Sequence, residues 1–578
     1  MPALAFPIRS RGFDHLHHMN TFSRVVLFAS FLLFSNPDHL HAQPDALGAP
    51  PVKAPYLKGE DSLCVNDWWN RPKNPIIDLK VPRDQAVAFG LYTLSGRILK
   101  LSAQLYPLYP AETREVRLEI ERDGRWTELA RRPVNDLGWS TVFRIERWDD
   151  SRDHKYRLRH GESAVFEGLI RKNPTAKDEI KIVALSCNSN RDRGLRPEYT
   201  RNINHQDPDL VFFSGDQSYD HKEHTAAWLK FGLAFKEIFR GRPCISIPDD
   251  HDIGQGNLWG ENGKVATVPT GDSGGYFFHH EYVKMVERQQ TGNLPDPYDP
   301  TPVEQGIGVY YTSLNLGGVD FAIIEDRKFK TGPLGRHPMK GPRPDHILDP
   351  AYDPAVIDTP GLQLLGERQL KFLSDWAQRT DGVSLRAVLS QTGFCGGAHL
   401  HGNPKGRLHA DLDSNGWPQS GRLAALRLIK RANAVHIAGD QHIATLIQHG
   451  IDQHRDGPWA FVVPAIDNSY YGRWWWPADE KPGANPVPNS PLPWTGDTLD
   501  GFNNKITMFA YANPDTAQYA TPATRTAHIG KPGWADGWGL IRFKKSTREV
   551  TFECWPRFVD VTQPGAQQFP GWPHTIKL

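Results

Sequence analysis

The sequence predicts an α/β core preceded by an all-β sandwich, and two patterns support this fold class. Between residues 80 and 175, short runs such as "REVRLEIERDG" alternate apolar and charged residues and stop at turn signals, as in fibronectin- or immunoglobulin-type sandwiches. From residue 178 to 555, apolar runs of buried-strand length alternate with amphipathic helical stretches. Buried strands that alternate with helices indicate a sheet covered on both faces.

The elements of the core are predicted from these runs in chain order. Buried strands are predicted at 179–186, 209–215, 243–248, 319–325, 384–391 and 433–439, with later strands at 458–465 and a hairpin at 537–555. Helices are predicted over 225–240, 366–379 and 421–432. The segments 257–310 and 468–535 are rich in Pro, Gly and aromatic residues, and we expect them to form long functional loops.

Composition narrows the possible partners. The chain has 578 residues and a net charge of +1, from 67 Lys+Arg against 66 Asp+Glu. It therefore has no global field that would steer nucleic acid or an anionic membrane towards it. An aromatic content of 11% with 51 Gly and 47 Pro favours a globular protein rich in loops and strands over a helical bundle. We expect no specific nucleic-acid partner and a monomeric protein.

Residues 1–42 have the anatomy of a bacterial-type signal peptide. An uncharged apolar run follows Arg24 and is too short for an ordinary transmembrane helix. A polar stretch comes next, and Ala42 stands where a cleavage-site residue belongs. A signal that starts at Met19 would have more usual proportions. We therefore expect export to the periplasm or the medium, with 43–79 as a lead-in and 556–578 as a tail.

The cysteines show neither a disulfide framework nor a C-x-x-C zinc pair. They are Cys64, Cys187, Cys244, Cys395 and Cys554. An exported protein could form two disulfides and leave one thiol over, so the pairing stays open at this point.

Side chains that can bind metals or take part in catalysis follow five of the predicted strands. The endings are Ser186-Cys187-Asn188, Gly215-Asp216-Gln217-Ser218-Tyr219, Asp249-Asp250-His251-Asp252, Asp326-Arg327 and Gly439-Asp440-Gln441-His442. One such ending means little, because a turn-forming Asp after a strand is common. In α/β folds, however, ligands gather at the carboxyl ends of the strands. Agreement among five endings therefore predicts one functional site.

The blocks "GDQSY", "PDDHDIGQGN" and "GDQH" together resemble the calcineurin-like metallophosphoesterase superfamily, and within it the PhoD-type alkaline phosphatases and phosphodiesterases. The superfamily's D-x-H block is replaced by "SCNSN", and Asp440 replaces its first His of the last block, both as in PhoD-type enzymes. One departure is Asp252, where the superfamily has Glu. The resemblance covers about 80–555 and implies two mixed sheets packed as a sandwich and flanked by helices, with the β-sandwich in front.

The donor types predict a two-metal centre. The predicted ligands of one ion are Cys187, Asp216, Tyr219 and His442, and those of the other are Asp216, Asp250, Asn257 and Asp440. A sulfur, phenolate and imidazole set suits iron, or zinc in its place, and the resemblance implies Fe3+. An all-oxygen set suits Ca2+, Mg2+ or Mn2+, and a shared carboxylate can bridge the two ions. The alternatives are a buried apolar thiol at Cys187, a packing ring at Tyr219 and a turn residue at Asn257.

These residues predict an exported, metal-dependent phosphoric ester hydrolase that acts on small phosphate mono- or diesters by attack of a metal-bound hydroxide. His251 would protonate or stabilise the leaving oxygen, and Asp252 would hold its other ring nitrogen. Arg327 would either grip phosphate with two bonds or pair with Asp326. Asp249 is expected to be structural, binding loop amides.

Further residues are expected to line the pocket, and two other functions stay open. The pocket residues are Asn188, Gln391, His399 and His401. The aromatic run at 470–477 is either packing or a stacking wall for the leaving group. One alternative is a secreted carbohydrate- or surface-binding protein with structural calcium, which would need none of Cys187, Tyr219 and His251. The other is a nuclease or a phospholipase D-like diesterase.

Overall fold

The computed structural model describes residues 61, 63–64, 74–336, 343–401, 406–468, 473–515 and 531–578. The predicted signal peptide, most of the lead-in and the side chain of His401 lie outside the described residues. No helix in the described part of the chain is both long enough and apolar enough to cross a bilayer.

The front of the chain forms two antiparallel sheets. The strands are β1 (Val87–Ser95), β2 (Ile98–Leu105), β3 (Glu115–Arg122), β4 (Arg125–Pro133), β5 (Ser140–Ile145), β6 (His154–His160) and β7 (Ala164–Ile170). One sheet has the order β1-β2-β5 and the other β4-β3-β6-β7. Strand β3 alternates buried and half-exposed residues at Val116–Leu118, as expected of a sheet with one buried face.

The rest of the chain alternates strands with helices. In order these are β8 (Glu179–Asn188), α1 (Pro197–Gln206), β9 (Leu210–Phe213), α2 (His224–Phe239), β10 (Cys244–Ser246), α3 (Asp250–Ile253), α4 (His280–Thr291), β11 (Thr312–Leu316), β12 (Val319–Ile323), β13 (His346–Ile347), α5 (Gly366–Trp376), β14 (Leu385–Thr392), β15 (Leu400–His401), β16 (Ala410–Asp411), α6 (Gln419–Arg431), β17 (Val435–Gly439), β18 (Ala444–His449), β19 (Trp459–Val462), β20 (Ala465–Asp467), β21 (Arg473–Trp474), β22 (Gly496–Leu499), β23 (Lys505–Ala512), β24 (Gly537–Lys544), β25 (Glu549–Pro556) and β26 (His574–Lys577). Short 3₁₀ turns occur at Arg83–Gln85, Glu261–Gly263, Glu304–Gly306 and Pro354–Ile357.

Two large mixed sheets form the core, as the resemblance implied. One has the order β10-β9-β8-β24-β25-β26, with β20 also paired to β8, and the other the order β11-β12-β14-β17-β19-β18-β23-β22. Strands β8, β9 and β10 are parallel, whereas β24 joins β8 antiparallel. Strand β26 lies in the predicted C-terminal tail and pairs with β25.

Side chains of both sheets meet in one buried layer. Ile182 of β8 and Phe212 of β9 share an apolar cluster with Phe321 of β12 and Leu389 of β14. The opposite face of β8 places Val183 in a second cluster with the apolar side of α2. Successive residues of one strand therefore serve two interfaces, because side chains alternate across a sheet, and the core strand is buried on both faces.

The front sheets do not close a core of their own. Phe89 of β1 packs against Trp228 and Phe239 of α2, with ring centroids 5.6 and 5.8 Å apart. These residues belong to a single buried cluster that also includes β8 and β9. The two all-β sheets are present, but a self-contained sandwich domain is not confirmed.

The prediction of two long irregular segments is wrong in part. Helix α4 lies within 257–310, and β22 and β23 lie within 468–535. Helix α4 buries Tyr282, Val283, Met285 and Val286 in an apolar cluster. It also buries the four polar residues Glu287, Arg288, Gln289 and Gln290, so its buried surface is partly polar. Glu287 forms an ion pair with Lys328 at 2.6 Å, and this pairing offsets the cost of burying its charge.

Candidate metal centre

The carboxyl ends of β8, β9 and β17 lie side by side. The Cys187 amide donates to the Gly215 carbonyl at 3.1 Å, and the Asn188 amide donates to the Asp216 carbonyl at 2.8 Å. The Asp440 amide donates to the Ser186 hydroxyl at 2.9 Å. These bonds fasten the ends of two different sheets to each other.

Two glycines permit this close approach. A Cβ on Gly439 would lie 2.1 Å from the hydroxyl oxygens of Ser186 and Ser214, and one on Gly215 would lie 2.4 Å from the Cβ of Asp249. Gly215 also has a φ of 131°, which side chains avoid. The glycine of each "GD" block therefore lets the following aspartate reach the shared edge.

Four of the seven predicted ligands have left-handed backbones. The φ angles are 53° at Cys187, 62° at Asp216, 66° at Asp440 and 54° at His442. Such residues cost on the order of 1 kcal/mol or more each and cluster at functional sites. Because four of them lie together, the backbone geometry also indicates a functional site here, independently of the residue types.

The predicted ligands come together in two overlapping groups. A ligand atom of Cys187, Asp216 and His442 lies within 4.8 Å of each of the other two. The Tyr219 hydroxyl donates to Asp216 Oδ2 at 2.7 Å and lies 3.0 Å from His442 Nε2. The carboxylates of Asp216, Asp249, Asp250 and Asp440 form a second group within the same 4.8 Å limit. Asp216 belongs to both groups.

Two buried carboxylate oxygens indicate that cations fit among the ligand groups. Asp216 Oδ1 and Asp250 Oδ1 are buried and have no hydrogen-bond partner in the described part of the chain, although buried polar atoms are normally bonded. The side chains are only 1% and 2% exposed. Open oxygens inside a cluster of carboxylates match what a divalent or trivalent cation requires.

The electrostatics of the cluster are unfavourable without added positive charge. Burial, followed by the charges of Asp249, Asp252 and Asp440, raises the pKa of Asp216 well above its ordinary value. Burial also raises the pKa of Asp250 and, with Asp216 and Asp440 nearby, that of the Cys187 thiol. A bound cation acts in the opposite direction and favours the ionised ligands.

A hydrogen bond fixes the tautomer of His442. Its Nδ1 lies 3.1 Å from Asn468 Oδ1, and Asn468 Nδ2 donates to the carbonyls of His442 and Trp534, each at 3.1 Å. Because the amide nitrogen already faces two carbonyls, its oxygen faces the ring, and Nδ1 must carry the proton. The lone pair of Nε2 is thereby directed towards Tyr219 and the ligand group. Burial lowers the pKa of His442 to about 3, which keeps the ring neutral.

His251 lies over the ligand group, but Asp252 does not hold it. The His251 ring stacks on Tyr219 with centroids 4.1 Å apart, and its Nδ1 lies 2.6 Å from Nε2 of His221. Asp252 instead accepts the backbone amides of Asp216, Ser218 and Asp249 at 2.8, 2.9 and 3.0 Å. The predicted role of Asp252 towards His251 is therefore wrong: it ties α3 to the loop after β9.

Arg327 is an interior residue, so the prediction that it grips phosphate is wrong. It is 1% exposed and donates to Asp249 Oδ1 at 2.7 Å and to Asp413 Oδ1 at 2.6 Å, and its Nη2 lies 3.1 Å from Asp440 Oδ1. The alternative pairing with Asp326 is also absent among the described residues. Its charge instead holds three buried carboxylates together.

Gln391 was predicted to line the pocket, and the structure contradicts this. It is 1% exposed, and its Nε2 donates to the Pro248 carbonyl at 3.1 Å and to the Tyr310 hydroxyl at 2.7 Å. Its Oε1 accepts the Asp326 amide. The side chain thus ties loop backbones together inside the protein and cannot contact a substrate.

The remaining predicted residues stay predictions. Asn257 is buried and donates to Asp345 Oδ2 at 2.7 Å. Asn188 is half-buried and accepts from Arg196 Nε at 3.2 Å. His399 packs on Trp475 with centroids 4.3 Å apart and makes no hydrogen bond to the ligand groups within the described ranges.

Three residues of the site were missed from the sequence: His221, Asp413 and Asn468. His221 stands two residues after Tyr219, and that position next to a predicted ligand was the available signal. Asn468 directly follows β20, three residues beyond the predicted strand 458–465, and that position was an available signal. Asp413 lies two residues after β16, a strand that was not predicted. All five cysteines are buried, and no disulfide joins any two of them, so the two disulfides considered above are absent.

Comparison with solved structures identifies the architecture. A structure titled "Structure of PhoD" superimposes with a TM-score of 0.55 at 15% identity, over 85% of this chain and 91% of that chain. The chain has the PhoD fold. The resemblance given by the three motif blocks is therefore confirmed at the level of fold.

A second similar structure is the purple acid phosphatase PPD1 isolated from yellow lupin (Lupinus luteus) seeds. It has a TM-score of 0.49 and 12% identity, over 85% of this chain and 74% of that chain. No family model matches the sequence, and no curated protein matches it.

Proposed function

We propose that this chain is a PhoD-like, metal-dependent phosphoesterase that hydrolyses small phosphate mono- or diesters with two bound cations. The observation that carries the proposal is the position of Asp216. Its carboxylate belongs to both ligand groups, and one of its buried oxygens has no hydrogen-bond partner among the described residues. A shared carboxylate with an open oxygen is what a two-metal site requires.

The donor chemistry supports different ions in the two groups. The thiol, phenol and imidazole of Cys187, Tyr219 and His442 suit Fe3+, or Zn2+ in its place. The carboxylates of Asp216, Asp250 and Asp440 suit Ca2+, Mg2+ or Mn2+. When bound, such a pair of ions supplies a nucleophile from water at neutral pH and offsets the charge of the phosphate.

His251 is the residue best placed to assist the leaving group. Its side chain is 15% exposed, stacks on Tyr219 and receives support at Nδ1 from His221. With one ring nitrogen occupied, the other is available to hold or donate a proton to the leaving oxygen. His221 acts through His251 and fixes its ring.

The biological setting is part of the same proposal. The apolar run after Arg24 and the small residue Ala42 support export through a signal peptide. The net charge of +1 supports a small phosphate ester as the substrate over long nucleic acid.

Metal analysis together with two assays tests the proposal. The purified protein is expected to contain two cations per chain and to hydrolyse p-nitrophenyl phosphate or bis-p-nitrophenyl phosphate. Asp216→Asn keeps the shape of the side chain and tolerates the left-handed backbone, but it removes the shared charge. It is expected to lose both cations and turnover, whereas the exposed Asp149→Asn keeps them.

Two results would reject the proposal. Full metal content and activity in Asp216→Asn would show that the shared carboxylate is not a ligand. Bound calcium with no hydrolysis of either ester would instead favour the binding protein with structural calcium.

A further inference from the structure

The aromatic run after residue 470 positions one charged side chain. Trp474 and Trp475 are 0% and 2% exposed. Their indole nitrogens donate to the carbonyls of Pro514 and Trp494 at 3.0 and 2.9 Å. These two rings are therefore packing residues and not a stacking wall. They fix the backbone next to Arg473, which directly precedes Trp474 in β21.

The guanidinium of Arg473 is buried but poorly bonded. The residue is 8% exposed, and its Nε and Nη1 have no hydrogen-bond partner in the part of the chain that the structure describes. Its nearest carboxylate oxygen is Asp411 Oδ2, at 3.5 Å from Nη1, which is beyond a good hydrogen bond. Arg327 is more deeply buried, at 1% exposed, and its donors are satisfied by carboxylates. Unpaired donors on a buried cation are costly and call for a ligand.

Arg473 lies beside the candidate metal centre. Asp411, its nearest anion, accepts the amide of Asp413 at 3.0 Å. Asp413 in turn binds Arg327, whose Nη2 is 3.1 Å from Asp440. Burial raises the pKa of Asp440 and lowers that of His442, and the charge of Arg473 is close enough to act on both groups in the lowering direction. The free donors thus belong to the same edge as the ligand groups.

We infer that Arg473 binds the phosphate group of the substrate, with Asp411 positioning its guanidinium. This inference rests on the proposed function and assigns to Arg473 the role that the sequence suggested for Arg327. Guanidinium donors bind phosphate oxygens strongly, because the bonds are charge-assisted and directional. A phosphate between the cations and Arg473 would satisfy the open donors, while Asp411 keeps the side chain in place.

The test uses the full-length, metal-loaded protein and inorganic phosphate as the probe. Arg473→Gln is expected to keep both cations and the midpoint of unfolding, and to weaken phosphate binding by about 10- to 100-fold, since one charge-assisted contact is lost. Calorimetric titration and competitive inhibition of p-nitrophenyl phosphate hydrolysis measure the same constant. Arg407→Gln is the matched control, because Arg407 is half-buried in the same region and donates to the Trp476 carbonyl at 2.7 Å.

The outcomes separate this inference from the proposed function. Wild-type turnover with unchanged phosphate affinity in Arg473→Gln would overturn the role of Arg473 alone. Absence of turnover and of phosphate binding in the metal-loaded wild type would overturn the proposed function. If the glutamine variant loses its cations or fails to fold, Arg473→Lys takes its place. It keeps the charge, and its affinity for phosphate is expected to fall about tenfold because an ammonium lacks the planar fork; no fall would overturn the inference.

Discussion

Replacing Arg327 by lysine tests the interior role assigned to that residue. The guanidinium connects Asp249, Asp413 and Asp440, at 2.7, 2.6 and 3.1 Å, and is 1% exposed. Lysine keeps the positive charge, but a single ammonium cannot reach three carboxylates that approach from different sides. At least one carboxylate is left buried without its partner.

The expected loss follows from these contacts. A hydrogen bond to a charged group contributes about 1.5–3 kcal/mol, and breaking a buried ion pair costs about 3–5 kcal/mol. Because lysine keeps one strong pair, we expect the free energy of unfolding to fall by about 3 kcal/mol. Arg327→Leu removes the charge as well, and we expect a loss of about 5 kcal/mol.

Urea unfolding measures the loss, and the KM for p-nitrophenyl phosphate is measured on the folded protein. The matched control is Arg152→Lys, whose partner Asp149 lies at 2.8 Å but whose side chain is 69% exposed, so its effect is below about 1 kcal/mol. An unchanged unfolding free energy in Arg327→Lys with a strongly raised KM would refute the reasoning. That result would show that Arg327 binds the substrate and does not hold the loops together.

Three further predictions concern the ligands, the acid and the pH dependence of stability. Cys187→Ser is expected to lower the iron or zinc content while leaving the cation of the carboxylate group in place, as measured by elemental analysis; full iron content would exclude a thiolate ligand. His251→Ala is expected to keep both cations and to lose more turnover with alkyl phosphates than with p-nitrophenyl phosphate, because p-nitrophenolate leaves without a proton; equal losses would contradict its role as an acid. Burial raises the pKa of Asp320 to about 6 from 3.8, so the wild type is most stable below about pH 4 with respect to this group and loses that stability as the pH rises to about 6. Asp320→Asn removes this dependence and is expected to be more stable than the wild type by up to about 3 kcal/mol at about pH 8, and parallel urea stability curves at about pH 4 and 8 would contradict the assignment.

The sequence predicted best where the evidence was local. Helix α2 was expected over 225–240 and runs over His224–Phe239, and α5 was expected over 366–379 and runs over Gly366–Trp376. Both have an apolar stripe with helical spacing. Asp216, Tyr219 and His442 meet because each follows a buried strand at the same edge, and this follows from topology and not from distant contacts.

Prediction failed where a polar side chain turns inwards. Arg327 and Gln391 stand at the same edge as the ligands, but the direction of a side chain after a strand depends on partners far away in sequence. Asp413 binds Arg327 across 86 residues, and Pro248 binds Gln391 across 143. Helix α4 was missed although it carries buried apolar residues, because the four consecutive polar residues 287–290 are buried beside them.

The left-handed backbones of Cys187, Asp216, Asp440 and His442 have a consequence for protein engineering. Glycine adopts this conformation without penalty, so replacing any one of these residues by glycine would release strain of about 1 kcal/mol while deleting a proposed metal ligand. Without cations the chain carries this backbone strain with no compensating bonds, and under the proposed function bound cations would offset it. Glycine at these positions is therefore expected to raise thermal stability and to abolish the proposed activity. Variants of this protein should accordingly be selected by activity as well as by thermal stability.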